Sequence, residues 1–434
     1  MSKANANSSI AFVRKSQIQP SPPPATEVGV VGWLRSNLFY SIPSSILTVL
    51  TVLFIYWLSS IILPWLFNGI WDADSIRDCR EQLQGKVGGC FAVITERWPQ
   101  LIFGNYPADE YWRAVLAFIG LFIALAPVLF IKLPRQLLWF TALFPFIAYW
   151  LIWGGSLWVS VFALVGVVVG YFVFRGIEQA SFFGGIVASL VATVAFWILV
   201  APLLSSGFAS VVGLELTPVE SRFIGGFMIN FILGTSGIVL SLPLGIALAL
   251  GRQSNLPIIK GICVVFIEFI RGVPLITLLF VASVMLAYFL PPGTNFDLVL
   301  RVIIMITLFA AAYIAEAIRG GLAALPRGQY EAGDSLGLDY WQSMRLIILP
   351  QALKISIPSI VNIAIGLFKD TTLVSIISMF DMLGMIQGPI LSTTEWFGVY
   401  WELLGFAAVL FFIFCYGISQ YSQWLERQLQ TGHR

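Results

Sequence analysis

The sequence predicts an all-α integral membrane protein with about ten transmembrane helices. Hydrophobic residues make up 58% of the 434 residues, and charged residues make up only 11%. The mean hydropathy is +0.89. Apolar runs of about 20 residues recur along the chain, which is the length that crosses a bilayer as a helix. This combination of composition and run length is outside the range of soluble globular proteins.

The apolar runs define ten candidate spans, separated by short polar stretches. They cover residues 42–66, 114–132, 136–153, 157–174, 181–204, 223–250, 273–290, 299–322, 352–380 and 402–421. Before the first span, residues 1–37 are polar and contain the proline-rich sequence SPPPA. This segment lacks the apolar core of a signal peptide, and we expect a disordered cytoplasmic tail.

Basic residues are distributed unevenly between the two sides of the membrane. With the N-terminus inside, most of the 24 Lys and Arg residues fall on the cytoplasmic side. The positive-inside rule then places both termini and the loop 323–351 in the cytoplasm, and the loop 67–112 outside. Cys79 and Cys90 lie in this outer loop, where oxidation is permitted, so we expect a disulfide. Two free thiols are the alternative.

The composition also argues against most catalytic functions. The single histidine, His433, lies at the extreme C-terminus, which disfavours His-based catalysis and metal sites. The sequence GKVGGC at 85–90 lacks the spacing of a phosphate-binding loop, so the chain has no ATPase site of its own. The net charge of +2 gives no indication of nucleic-acid binding. We therefore expect a protein without enzymatic activity, metal or resident cofactor.

One polar, turn-containing insert interrupts the apolar sequence, YEAGDSLGLDYWQSMRLIILP at 330–350. Gly337 suits the turn after a first short helix. Asp339 suits an N-cap, and Gln342 three residues later completes a capping box. Pro350 is expected to open the next transmembrane helix, because its missing N–H costs little there. The pattern predicts two short helices at about a right angle beneath the membrane.

Apolar residues recur at every fourth position of this insert and predict one stripe against the membrane domain. They are Ala332, Leu336, Tyr340, Met344 and Ile348. The spacing alone leaves an ordinary amphipathic linker between two spans as an equal alternative.

The insert resembles the EAA loop of ABC importer permeases, the coupling helix that docks into a groove of the cytoplasmic ATPase. Gly333 stands in place of the second alanine of that motif. The residues that carry the likeness, and that we expect to couple to the ATPase, are Glu331, Ala332, Gly333, Gly337, Leu349 and Pro350. The stretches IEFIRGVPLI, AAYIAEAIRGGLAALPRGQYEAG and GLFKDTTLVSIISMFDMLG resemble the polar amino-acid branch, and most closely its larger, broad-specificity permease subunit.

This resemblance implies a C-terminal five-helix, type I importer permease core at 216–434, preceded by an accessory transmembrane region at 38–215. The apolar pair at 157–204 is additional to the expected pattern. The implied partners are a second homologous permease subunit in a heterodimer, two ABC ATPase subunits that bind ATP and Mg, and a periplasmic amino-acid-binding protein. The expected location is the bacterial inner membrane.

An interruption of the ninth span predicts the substrate path. Charges inside a membrane are costly unless they pair or line a cavity. A broken helix also exposes backbone dipoles that suit a zwitterionic amino acid. The expected path residues are Lys369, Asp370, Thr371, Thr372, Asn362 and Ser375. The alternative is that Lys369 and Asp370 form a structural ion pair that holds the break.

Two Glu–Arg pairs with i, i+3 spacing, Glu316–Arg319 and Glu268–Arg271, predict local ion pairs with a structural or gating role.

The sequence predicts the permease subunit of an ATP-driven, binding-protein-dependent amino-acid importer. The alternative is a secondary amino-acid transporter coupled to an ion gradient, which would need inverted repeats and a coupling-ion site. The sequence contains neither feature. It favours neutral or broad amino-acid specificity over a dedicated cationic one.

Overall fold

The computed structural model describes residues 29–130, 132–289 and 297–430. Within these ranges nine helices are long and apolar enough to cross a membrane, or ten when a bent pair of helices counts as one span. The prediction of an all-α membrane protein with about ten spans is confirmed. Residues 1–28 of the predicted tail and His433 lie outside the described residues.

The helices of the described ranges are numbered in chain order. They are α1 Gly29–Asn37, α2 Ile42–Phe67, α3 Ile76–Leu83, α4 Ala92–Phe103, α5 Tyr111–Leu129, α6 Leu138–Trp153, α7 Leu157–Ile177, α8 Phe182–Ala195, α9 Ala201–Val211, α10 Gly226–Gln253, α11 Pro257–Gly272, α12 Leu275–Phe280, α13 Leu286–Phe289, α14 Leu298–Ala323, α15 Arg327–Ser335, α16 Tyr340–Ser343, α17 Leu349–Asp370, α18 Met382–Met385 and α19 Tyr400–Gln430. The strands are β1 Gly155–Ser156 and β2 Glu215–Leu216.

One compact unit contains α1 and α2, within residues 29–69 and 83–89. The helix α1 corrects the prediction that the disordered tail extends to residue 37. Beyond SPPPA, the sequence has no further proline before Pro43, and its apolar VVGWL stretch permits helix formation. The hydroxyl of Ser41 caps α2 by accepting a hydrogen bond from the Ser44 N–H at 3.3 Å.

The second unit begins with residues 70–82 and continues from Cys90, and it contains α4 and most of α3. Cys79 and Cys90 are joined by a disulfide, with their Cα atoms 5.8 Å apart. The segment around α3 and α4 also bonds to α19 and to the residues just before it. The Ile76 N–H donates to the Glu395 carbonyl at 2.9 Å, and the Cys90 N–H donates to the Glu402 carboxylate at 3.0 Å. Residues far apart in sequence therefore fix this segment.

The additional apolar pair, predicted at 157–204, forms the helices α7 to α9. We call this segment the excursion, and two short strands join its ends. The strands β1 and β2 pair antiparallel, with Gly155 opposite Leu216 and Ser156 opposite Glu215. Within the excursion α7 packs against α8 and α9. The Trp197 indole N–H donates to the Ala163 carbonyl at 2.9 Å and ties the returning chain to α7.

The C-terminal helices α10, α14, α17 and α19 pack on one another and bury most of the apolar core. Beside them, α11 and the helical stretch that follows it are bent by 102° at residues 272–274. The sequence interpretation left residues 257–272 outside its predicted spans, because Lys260, Glu268 and Arg271 dilute an otherwise apolar helix.

We expect oxidised Cys79 and Cys90 in the purified protein, because the positive-inside rule predicts that both lie outside the cytoplasm and the fold holds them within bonding range. Non-reducing peptide mass spectrometry should recover a cross-linked Cys79–Cys90 peptide. The bridge should stabilise its short loop by up to about 3 kcal/mol. Cys263 and Cys415 are free in the structure and serve as the internal alkylation control. Full alkylation of Cys79 and Cys90 in oxidised, intact cells would contradict the bridge.

Candidate functional site

The ninth predicted span is interrupted where the sequence predicts. The helix α17 ends at Asp370 and continues as a 3-10 helix over Thr371–Ile377. Ser378 then adopts a left-handed conformation with φ of 64° and ends the helical path. Lys369 is exposed and Asp370 is half-buried. Among the described residues, no Lys369 nitrogen lies within 4.0 Å of an Asp370 oxygen.

The other predicted path residues separate into two environments. Asn362 is exposed on α17, and Thr372 and Ser375 are half-buried. The Thr372 hydroxyl donates to the Lys369 carbonyl at 2.8 Å, and the Ser375 hydroxyl donates to the Thr372 carbonyl at 2.9 Å. These bonds satisfy backbone groups of the interrupted helix. Thr371 differs from the others because it is fully buried in the protein core.

Behind the break lies a buried polar cluster formed by Asn230, Thr371 and Asp381, all with 0% exposure. The Asn230 side-chain amide donates to the Thr371 hydroxyl at 2.9 Å and to the Asp381 carboxylate at 3.2 Å. The Thr371 hydroxyl donates in turn to the Phe368 carbonyl at 2.7 Å. The Asp381 carboxylate also caps α18 by accepting from the Gly384 N–H at 2.9 Å.

Aromatic rings surround this polar cluster. Phe227 and Phe231 flank Asn230 on α10, and their rings lie 6.1 and 5.3 Å from the ring of Phe368. The sequence interpretation missed Asn230 and Asp381. The available signal was a lone amide in the apolar run of α10, together with an aspartate at an N-cap position.

The polar insert contains the predicted turn and cap. Gly337 has a φ of +68°, which only glycine adopts without strain. The Asp339 side chain accepts from the Gln342 N–H at 2.8 Å, and the Gln342 side chain accepts from the Asp339 N–H at 3.2 Å. Gly333 packs directly against Ser343, where the Cβ of an alanine would collide with the hydroxyl. This contact accounts for the glycine at that position.

Two of the five residues of the predicted apolar stripe are buried, and Ala332, Leu336 and Tyr340 are exposed. Met344 and Ile348 are buried against α14 and α17, but Leu336 is 72% exposed and Tyr340 is 51% exposed. The turn at Gly337 changes the chain direction and ends the helical periodicity on which the stripe depended. The insert therefore presents apolar and aromatic side chains to its surroundings. Burial raises the pKa of the Tyr330 phenol, which packs beside the buried residues.

The second short helix is not separate from the next transmembrane helix. A π-helical turn over Met344–Ile348 joins α16 to α17, so Tyr340–Ile377 is one helical stretch. Pro350 lies in the first turn of α17, as predicted, but α17 continues a helical stretch that already starts at Tyr340. The break at Asp370 and the turn at Gly337 thus lie at opposite ends of the same helix.

Charged residues form a network across three helices at one end of the bundle. The predicted Glu316–Arg319 pair is present, with the Arg319 Nε donating to Glu316 at 2.8 Å. The predicted Glu268–Arg271 pair is wrong. Glu268 pairs with Arg252 of α10 at 2.9 Å, and Arg271 approaches Glu316 of α14 at 3.7 Å. Arg252 also reaches Glu316 at 3.2 Å, because helix packing brings these side chains closer than helical spacing does.

A cavity of 670 Å³ lies among α5, α6, α10 and α19. Phe118, Phe144, Phe231 and other apolar side chains line it almost completely. Its two threonine hydroxyls, on Thr141 and Thr235, already donate to backbone carbonyls. No charged side chain lines the cavity, so it offers no ionic partner for a zwitterion. Elsewhere in the described part of the chain, no group of three His, Cys, Asp or Glu side chains could hold a metal ion.

Comparison with known proteins adds to this geometry. Residues 241–427 match the family described as "Binding-protein-dependent transport system inner membrane component". The chain is 51% identical over 98% of its length to the whole of the glutamate/glutamine/aspartate/asparagine transport system permease protein BztC of Rhodobacter capsulatus. The chain belongs to the amino-acid ABC transporter permease family. The interrupted helix and the exposed insert are therefore those of a permease subunit.

A second relative is the inner membrane amino-acid ABC transporter permease protein YhdY of Escherichia coli, 37% identical over 95% of this chain and 96% of that protein. Both matches are nearly full-length, so the accessory region is included in the likeness. A solved amino-acid ABC transporter structure with histidines covers 47% of this chain and 92% of its own, at 30% identity and a TM-score of 0.42. The comparisons give no support to a secondary transporter.

We expect Glu316→Gln to destabilise the membrane domain more than Glu268→Gln does. Glu316 is approached by three arginines from three helices, whereas Glu268 pairs with one. Removing the shared charge should lower the free energy of unfolding by about 2 kcal/mol. Thermal unfolding of the two variants in the same lipid nanodiscs measures the difference. Equal unfolding temperatures would show that the network contributes only local, exposed pairs.

Proposed function

We propose that this permease forms the translocation path for amino acids together with a second, homologous permease subunit. Two ABC ATPase subunits would bind ATP and Mg and drive the cycle, and a periplasmic binding protein would deliver the substrate. We place both termini and the loop 323–351 in the cytoplasm, in accord with the distribution of basic residues.

The observation that carries this proposal is the single helical stretch with a functional feature at each end. The exposed turn around Gly337 precedes it, and the break at Asp370 lies near its far end. From Tyr340 to Asp370 the helix extends about 45 Å at ~1.5 Å per residue. A displacement of the turn by an ATPase would therefore move the break as part of the same rigid element.

The turn has the chemistry of a docking surface. Leu336 and Tyr340 are exposed, and Trp341 beside them is 56% exposed. Exposed aromatic and apolar side chains on a well-capped turn suit a pocket in a partner protein. Glu331 and Ala332, also exposed, extend this surface along α15. We assign the surface to the ATPase.

The break has the chemistry of an amino-acid path. Asp370 offers a carboxylate to a substrate ammonium group, and Lys369 offers an ammonium to a substrate carboxylate. The two side chains are not paired with each other within the described residues, so both charges are available to a ligand. Thr372, Ser375 and Asn362 supply nearby polar groups.

We further propose acidic amino acids and their amides as substrates. The name of the 51% identical relative from R. capsulatus supports this class. Uptake of labelled glutamate by proteoliposomes that contain the complete complex, with competition by glutamine, aspartate, asparagine and arginine, tests it. Uptake that follows an ion gradient and ignores ATP would overturn the importer itself.

We expect Asp370→Asn to reduce uptake about tenfold or more, because a charge-assisted hydrogen bond to substrate is worth roughly 1.5–3 kcal/mol. Binding of the ATPase subunits should be unaffected. The matched control is Glu178→Gln, which neutralises a carboxylate paired with Arg175 in the accessory region. Unchanged uptake kinetics and competition in Asp370→Asn would remove this residue from the path.

We expect Gly337→Val to impair coupling. A β-branched residue at a φ of +68° costs about 1–3 kcal/mol, and the turn that presents Tyr340 should rearrange. Glu331→Lys should have a similar effect through charge reversal on the exposed surface. ATPase copurification and transport-coupled ATP hydrolysis are the measurements.

The matched control for coupling is Gly328→Ala. Gly328 lies on α15 close to the turn, and a Cβ there would meet no neighbouring atom. Normal ATPase copurification and transport in both Gly337→Val and Glu331→Lys would exclude this surface as the coupling site.

A further inference from the structure

The buried cluster of Asn230, Thr371 and Asp381 is more extensive than the helix break requires for capping alone. The Asp381 carboxylate accepts hydrogen bonds from Gly384, from Leu383 and from Asn230, at 2.9, 3.3 and 3.2 Å. In the described part of the chain it has no Lys or Arg partner within ion-pair distance. A buried carboxyl group held only by these donors is costly to separate from them.

Asn230 connects the two sides of the break. Its amide nitrogen bonds to Thr371, the first residue of the 3-10 segment, and to Asp381, which follows that segment. Its amide oxygen accepts from the Met382 N–H at 3.3 Å. One side chain on α10 therefore fixes the distance between the start and the end of the interrupted segment.

Thr371 transmits this constraint to the path, because it directly follows Asp370. The Thr371 hydroxyl accepts a hydrogen bond from the Asn230 amide and donates one to the Phe368 carbonyl in the last turn of α17. The peptide unit between Thr371 and Asp370 is thereby restrained. Since Thr371 is fully buried and Asp370 is half-buried, the restraint directs Asp370 away from the core.

We propose that Asn230, Thr371 and Asp381 are positioning residues that hold Asp370 in its substrate-binding orientation. This inference rests on the proposed role of Asp370 in the path, and it removes Thr371 from the set of groups that contact substrate. The three residues act through the backbone of the break. Their loss should weaken substrate binding without removing any group that touches the substrate.

The decisive comparison is Thr371→Val against Thr371→Ser. Valine keeps the volume and loses the hydroxyl, whereas serine keeps the hydroxyl and loses one methyl group. We expect equilibrium binding of labelled glutamate and glutamine to the permease–ATPase complex in nanodiscs to weaken about tenfold in Thr371→Val. Thr371→Ser should restore most of the affinity. ATPase copurification should be the same for both variants.

The double variant Asn230→Asp with Asp381→Asn tests the other two residues of the cluster. Asp381→Asn alone places an amide N–H₂ where hydrogen bonds are accepted, and we expect a large loss of glutamate binding. The double variant places a carboxylate and an amide opposite each other again, and binding should recover in part. Thermal unfolding of each variant identifies those that simply fail to fold.

The outcomes separate this inference from the proposed path. Weakened binding in Thr371→Val, with rescue by serine, supports the positioning role. If Asp370→Asn loses binding but a well-folded Thr371→Val complex binds glutamate normally, the positioning role is overturned and the path stands. If Asp370→Asn binds normally, the path is wrong and this inference is wrong with it. Equal losses in Thr371→Val and Thr371→Ser would also overturn it, because the hydroxyl would then have no part.

Discussion

The interruption of a membrane-spanning helix at Asp370 is the constraint on which the rest of this structure depends. In the membrane interior, backbone N–H and C=O groups have no water to bond, so a broken helix must satisfy them within the protein. The 3-10 segment, the threonine and serine hydroxyls and the buried Asn230–Asp381 pair provide these bonds. A charged group can remain at the break because the surrounding polar groups already stabilise the backbone there.

The same helix connects this break to the polar insert. Because α16 continues through a π-helical turn into α17, the turn at Gly337 is linked to Asp370 by one continuous element rather than by a flexible joint. The π-helical turn inserts an extra residue and changes the helix face beyond it. Met344 and Ile348, the first and last residues of the π-helical turn, are buried, whereas Tyr340 before it is exposed. A continuous helix of this kind suits a subunit in which contact with a partner at the Gly337 turn moves the residues around Asp370.

The accessory parts of the second unit have separate functions in the fold. The segment around α3 and α4 bonds to Glu395 and to Glu402 of α19, and the excursion α7 to α9 is joined at its base by two short strands. The Glu316 network links α10, α11 and α14. These contacts join sequence regions that the apolar pattern treats as independent spans. They also pair polar side chains that helix–helix packing alone would leave without partners, which stabilises the fold at these positions.

The features of this protein that have local causes could be predicted from the sequence. Apolar run length determined most of the spans, the glycine and the capping box determined the turn at Gly337 and Asp339, and the Lys369-Asp370 charges marked the break. It did not predict the helix at 257–272, because scattered charges hide its apolar face from a pattern based on hydropathy. Only the tertiary structure decided which groups meet. Arg271 contacts Glu316 instead of Glu268, and Asn230 meets Thr371 and Asp381 across more than a hundred residues of sequence, because the packing of separate helices determines those distances and local spacing does not.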